Sequence, residues 1–213
     1  IPVVLIMTVA LGLLIERAAY KPLRSAPRMS VMISAIGVSY LLQNLATYIT
    51  GGLARPYPEI PFLKGTFMLG ALKIKVITVV TPLLTVLLVI ALVLFINHTK
   101  TGMAMRAVSR DFDTARLMGI KVNNIISVTF IIGSFLAGVG SILYFSNYGQ
   151  VSPTIGAMPG LKAFVAAVFG GIGSIPGAVL GAYIIGICES LIKANDAIAI
   201  FSNAFTFALL ILV

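Results

Sequence analysis

Three long apolar runs, Val31 to Ile49, Val76 to Ile96 and Ile125 to Phe145, constrain this chain more than any other feature. A helix needs ~20 predominantly apolar residues to cross ~30 Å of hydrocarbon, and each run approaches or reaches that length. A glycine-broken region from Leu161 to Ile192 has room for two shorter passes. With 59% hydrophobic and 10% charged residues and a mean hydropathy of +1.09, a water-soluble fold would be left with large apolar patches on its surface. A bilayer removes that difficulty, and the expectation is an all-α, polytopic transmembrane bundle. Val76 to Ile96 is rich in β-branched residues, yet its length favours a membrane helix over a strand. Both ends look cut: Ile1 lies inside an apolar stretch, and the last run, Phe205 to Val213, is too short to span.

The formal net charge of +9 could suggest nucleic acid, but the basic residues lie in loops that flank membrane runs and form no continuous face. Arg17, Lys21, Arg24 and Arg28 follow the first apolar stretch, and Lys100, Arg106, Arg110, Arg116 and Lys121 follow the third. If the intervening runs cross twice, both loops share one side, which therefore holds nine of the 15 Lys and Arg residues. That side is the cytoplasm by the positive-inside rule. The loop from Thr50 to Lys75 carries Arg55, Lys64, Lys73 and Lys75, which weakens the asymmetry.

Within the second run, which begins after Pro27, the residues Ser39, Tyr40, Gln43, Asn44 and Thr47 are costly against lipid. They face other helices or an aqueous path, and Gln43 and Asn44 are candidates for either. Gly51, Gly52, Pro56, Pro58 and Pro61 then break the helix into an outer loop, in which Phe67 to Lys75 could pair with Ile60 to Phe62. Along Ile125 to Phe145, Gly133, Ala137 and Ser141 recur every four residues, the small-residue pattern for close helix packing. Tyr148 to Gly160 reads as a turn-rich loop. Leu161 to Phe169 is too short to span alone and suggests a broken or re-entrant element, halted by Gly170, Gly171 and Gly173. These glycines make either a tight turn or part of a substrate path. After Pro176 the chain resumes, with Gly177 and Gly181 as a close-packing pair. Glu189 in this segment sits at an interface, pairs with Lys193 at i+4, or faces a pore.

Several chemistries are missing. Neither a G-x-x-x-x-G-K-[ST] loop nor a complete G-x-G-x-x-G occurs, since Gly171 and Gly173 are followed by Pro176 where a third glycine would be needed. His98 has no metal-spaced companion. The single Cys188 excludes an internal disulfide and reads as a small buried residue. Paired carboxylates occur only as Asp111 and Asp113, which suit a helix start better than acid-base catalysis. No catalytic constellation, metal or cofactor is expected on this chain, and any energy source must lie on another subunit.

The loop from Thr101 to Lys121 carries a different signal. Met105, Val108, Phe112, Ala115 and Gly119 recur at spacings of three and four and share one face of a helix, while Arg106, Arg110, Asp113 and Arg116 fall mostly elsewhere. Such a surface helix either docks on a partner or lies on anionic lipid headgroups.

Three stretches together resemble the branched-chain amino acid ABC transporter permeases of the LivH type. They are ERAAYKPLR (Glu16 to Arg24) running into ISAIGVSYLLQN (Ile33 to Asn44), TGMAMRAVSRDFDTARLMGI (Thr101 to Ile120), and GLKAFVAAVFGGIGSIPGAVLGAYIIGICES (Gly160 to Ser190). The resemblance implies one transmembrane permease domain over 1–213, lacking its opening helices and C-terminal end, with a cytoplasmic coupling loop at 101–121. It implies a coupling helix from about Met103 to Gly119 that docks in a groove of an ATP-hydrolysing subunit. Asp111, Ala115 and Gly119 match the family's D-x-x-x-A-x-x-x-G arrangement, and Arg106 with Ala107 match the R-A before it; Arg110 replaces the usual acid before the aspartate. The implied partners are a second, LivM-like permease subunit, two ATPases and an extracytoplasmic binding protein, in a bacterial or archaeal inner membrane. The implied cargo is a branched-chain amino acid, delivered along a path for which Gln43, Asn44, Gly170, Gly171 and Gly173 are candidates. Related permeases carry urea or short amides, and an ATP-independent channel or carrier would need more intramembrane acids or histidines than this chain has.

Overall fold

The computed structural model describes residues 1–23, 28–58, 65–69, 72–171, 173–194, 199–202, 204, 205 and 208. Arg24, Pro27, Lys64 and the segment Ile60 to Phe62 lie outside them. The chain divides into two compact units, Ile1–Pro153 and Thr154–Val213.

In the first unit, α1 (Pro2–Ile15) ends in a π-helical turn (Glu16–Tyr20), followed by α2 (Arg28–Thr50), α3 (Val76–His98), two short helices α4 (Lys100–Arg110) and α5 (Phe112–Leu117), and α6 (Val122–Tyr148). Two antiparallel strand pairs lie between and after them: β1 (Arg55–Pro56) with β4 (Gln150–Val151), and β2 (Thr66–Leu69) with β3 (Leu72–Lys75). Within this stretch β2 and β3 thus pair with each other; the suggested partner, Ile60 to Phe62, lies outside the described residues. Pairing neighbours in sequence closes the smaller loop.

The packing of α1 against α6 sets the frame, and it departs from the small-residue pattern read in the sequence. Gly133 and Ala137 are exposed, and a Cβ at Gly133 would touch nothing within 4 Å. The seam runs one residue later: Gly12 lies against Ser134, and a Cβ on Gly138 would sit 3.0 Å from Leu5 Cδ2 and 3.4 Å from Thr8 Cβ. One residue turns a helix by ~100°, so a pattern of small residues names a spacing before it names a face.

The two helices run antiparallel. Glu16 meets Ser127, and the Tyr20 ring lies 5.2 Å from that of Phe130, so the end of α1 sits beside the start of α6. Arg17 and Lys21 therefore share one end of the unit with the basic segment from Lys100 to Lys121, as the two-crossing reading expects. At the other end, Arg55 pairs with Val151 and Pro56 with Gln150, and the Tyr57 N–H donates to the Gly149 carbonyl over 2.9 Å. Both ends of α2 are thereby tied to opposite ends of α6.

Among the described residues, four helices are long and apolar enough to cross a membrane: Pro2–Tyr20, Val76–His98, Val122–Tyr148 and Ile175–Lys193. α2 is likewise 23 residues long, a rise of ~35 Å, and the loops it joins place it across the same thickness.

In the second unit, α7 (Ala157–Phe169) and α8 (Ile175–Lys193) form a helical hairpin. The first helix starts at Ala157, inside the stretch read as loop, because Pro159 falls in the first turn, where a missing N–H costs nothing. Its 13 residues rise ~20 Å, short of a crossing. Gly177 and Gly181 pack as the sequence suggested: a Cβ on Gly181 would lie 2.6 Å from the Ala166 carbonyl oxygen, and one on Gly177 would collide with that of Gly170. Cys188 is half-buried on α8.

Candidate functional site

The segment between α3 and α6 folds as an elbow of two helices, where the sequence suggested one from Met103 to Gly119. Its first bend is tight. Gly102 lies so close to the backbone of Ile96 that a Cβ would collide with it, and Thr99 caps α4 by accepting the Gly102 N–H at 3.0 Å. The second bend is Asp111, whose extended backbone (φ −153°, ψ 119°) ends α4 and caps α5. Its Oδ1 accepts the N–H groups of Asp113 (2.9 Å) and Thr114 (3.3 Å), and its Oδ2 accepts the Thr114 hydroxyl at 2.6 Å. An aspartate able to satisfy the first N–H groups of a new helix competes with continuation of the old one. The Thr114 hydroxyl, followed by the two backbone N–H groups, holds the Asp111 carboxyl below the usual carboxylate range.

The break redistributes the apolar stripe. Val108 and Ala115 are buried against Val122, with Ile120, Ile125 and Ile126 packed around them. They anchor the elbow to the start of α6 and are not available to a partner. Met105 is half-buried, and Arg106 and Ala107 are exposed. Gly119 lies beyond α5 at φ +80°, a conformation that favours glycine, and turns the chain toward α6. The apolar groups that face outward are Phe112 (54% exposed), Leu117 (88%) and Met118 (78%). Leu117 and Met118 were not singled out in the sequence, because they fall off the stripe of a continuous helix. Arg110 and Arg116 flank them, the latter 4.0 Å from Asp113 across a fully solvated pair.

The other sequence candidates fall elsewhere. On α2 the Gln43 amide donates to Ser39 Oγ at 3.0 Å and the Asn44 amide to the Tyr40 carbonyl at 2.8 Å, while Tyr40 and Asn44 remain exposed. Gly170, Gly171 and Gly173 belong to the turn between α7 and α8. Gly171 and Gly173 take φ of +94° and +99°, and Gly170 leaves room for the carbonyl of Gly177. Each of the three thus has a conformational or packing reason to be glycine. Ser174 caps α8 by accepting the Gly177 N–H at 3.2 Å. Glu189 accepts from both Lys162 and Lys193 at 2.6 Å, joining α7 to α8 as well as making the i+4 pair.

Sequence reasoning passed over Glu16. It is 1% exposed in the π-helical turn and accepts the Ser127 hydroxyl at 3.2 Å. Nothing in its sequence neighbourhood marks it, and only the approach of α6 reveals its burial. π-turns are rare and concentrate where a helix is asked to do more than hold shape.

Fold and site together describe a multi-pass helical membrane protein whose basic end carries a two-helix elbow packed on the start of α6. The model of the family described as "Branched-chain amino acid transport system / permease component" matches residues 1–213. The branched-chain amino acid permease LivH of Escherichia coli (strain K12) is 39% identical over 98% of this chain and 68% of its own length. BraD of Pseudomonas aeruginosa, a permease of the same description, is 40% identical over 98% of this chain and 69% of its own. More distantly, the autoinducer 2 import permease LsrC of Yersinia enterocolitica is 26% identical over 78% of this chain and 46% of its own. No solved structure matches. The chain belongs to the family of branched-chain amino acid transport permeases, and it is a transport subunit and not an enzyme.

Proposed function

We propose that the chain is the membrane-spanning half of an ATP-driven importer for branched-chain or related amino acids, in a bacterial or archaeal inner membrane. In this reading it forms one permease domain with a second, LivM-like subunit. Two separate ATPase subunits work at its basic, cytoplasmic end, and an extracytoplasmic binding protein delivers substrate at the other. The chain holds no cofactor of its own.

The elbow carries this reading. It stands at the end richer in Lys and Arg, as an inner-face element should. Its inner side is fastened to α6 through Val108 and Ala115, so a push on α4 and α5 is transmitted to a helix 27 residues long. Its outer side offers Phe112, Leu117 and Met118 among arginines, an apolar anchor with a charged rim suited to a protein groove. Met105, Arg106, Ala107, Asp111 and Gly119 shape or flank that surface. ATP-driven movement of the ATPases then switches the helices between inward and outward states through a preformed lever. Ser39, Tyr40, Gln43, Asn44 and Thr47 on α2 supply polar groups along the path or the seam with the second permease, and Gly170, Gly171 and Gly173 are separate candidates for the path.

The test replaces Leu117 and Met118 by serine together. Co-purification with the ATPase subunits and ATP-dependent uptake into vesicles should both fall, while expression and the melting profile of the isolated chain stay unchanged. Full assembly and uptake in that variant would remove the coupling assignment.

A further inference from the structure

The first unit contains an open groove of about 430 Å³ between the start of α3 and the end of α6, with Thr78, Pro82, Gly140 and Asn147 of its lining exposed. It lies at the strand end, away from the elbow, and extends from Thr78 and Asn147 to Thr85 and Gly140, about 10 Å along each helix. We propose that this groove is a substrate subsite for a small aliphatic amino acid, the first place in the membrane domain to receive it. The proposal rests on the transport reading above and adds where, and against which groups, the substrate is held.

The wall is divided by chemistry. Ile77 and Leu143, both buried, and the Pro82 ring give it an apolar side. The other side is polar without being charged. Thr81 Oγ1 donates to the Ile77 carbonyl at 2.7 Å and Thr85 Oγ1 to the Thr81 carbonyl at 2.8 Å. Their protons are thus committed to the helix, and what the oxygens offer a ligand is lone pairs. Pro82 has no N–H to give the Thr78 carbonyl, which adds another acceptor. Acceptors grouped in this way suit an ammonium group. The first turn of α3, at Ile77 and Thr78, receives no side-chain cap, and its N–H groups form the positive end of a 23-residue helix, which suits a carboxylate. Among the described residues no charged side chain lines the groove, so a ligand with net charge would go uncompensated there, whereas a zwitterion with an aliphatic side chain finds a counterpart for each part.

Gly140 makes the idea testable. A Cβ there would meet nothing within 4 Å, so a larger side chain enters the groove without colliding with the backbone. In vesicles holding the complete transporter, with leucine as probe, Gly140→Leu should lower uptake about tenfold or more, the usual penalty for a filled or misfitted pocket. Thr81→Val, which keeps shape and removes the oxygen nearest the first turn, should raise the KM for leucine about tenfold, the worth of a hydrogen bond to a charged group. Wild-type uptake and KM in Gly140→Leu would overturn the subsite. If that variant does not co-purify with its partners, an unchanged KM in Thr81→Val overturns it instead. A wild-type complex that carries no leucine defeats the transport reading itself. A complex that carries urea or a short amide, blocked by Gly140→Leu, defeats the amino acid assignment.

Discussion

Replacing Gly181 by alanine adds one methyl group at the closest approach of α7 and α8. That carbon would sit 2.6 Å from the Ala166 carbonyl oxygen, 3.1 Å from the Gly170 nitrogen and 3.2 Å from Gly170 Cα. Carbon approaches a carbonyl oxygen no closer than about 3.3 Å in ordinary packing, so the two backbones must separate by roughly 0.7 Å. All three obstructing atoms are main chain and none can rotate away. Overpacking of this kind costs about 1–3 kcal/mol. Gly186, five residues on in the same helix, supplies the control, because a Cβ there would touch nothing within 4 Å. Gly186→Ala should therefore gain the helical preference of alanine, about 0.5–1 kcal/mol. The two variants should differ by about 2 kcal/mol or more, or about 4–8 °C in apparent melting temperature for a chain of this size. Thermal melting of the purified protein in detergent reads the difference directly. If Gly181→Ala melts with or above Gly186→Ala, the close-packed hairpin is wrong.

Glu189→Gln should destabilise the α7–α8 hairpin, since two lysines lose one carboxylate. With Lys162 a quarter exposed, the loss should stay below the ~3–5 kcal/mol of a fully buried pair, and limited proteolysis between the helices would report it. Ser146 Oγ is buried without a hydrogen-bond partner among the described residues. Ser146→Ala should therefore leave the melting temperature unchanged or raise it, by up to ~1–2 kcal/mol in stability; a clear loss would show that the hydroxyl is used. At the elbow, Asp111→Ala should loosen ATPase association more than Asp111→Asn, because asparagine still caps a helix. The capped carboxyl titrates below its unfolded value, so its contribution is complete above that value and disappears as pH falls through the folded one. ATPase association measured over about pH 5–8 should accordingly show no step from this group.

Much of the architecture could be read from residue order because the bilayer imposes it. Spanning length, the break at Gly170 to Gly173, the close pair Gly177 and Gly181, and the basic loops all follow from what hydrocarbon excludes and what helix geometry repeats. The order of three motifs indicated the family. Tertiary structure decided which face meets which neighbour. Apolar periodicity grouped Val108 with Phe112, but the Asp111 cap bends the chain and sends one inward to Val122 and the other outward. Four-residue spacing pointed to Gly133, whereas α1 settles on Ser134 and Gly138. The burial of Glu16 and the groove beside Thr85 both depend on which faces of α6 meet α1 and α3. Spacing along a helix is a local property carried by the chain, whereas burial and enclosure depend on segments far apart in sequence and arise only when those segments pack.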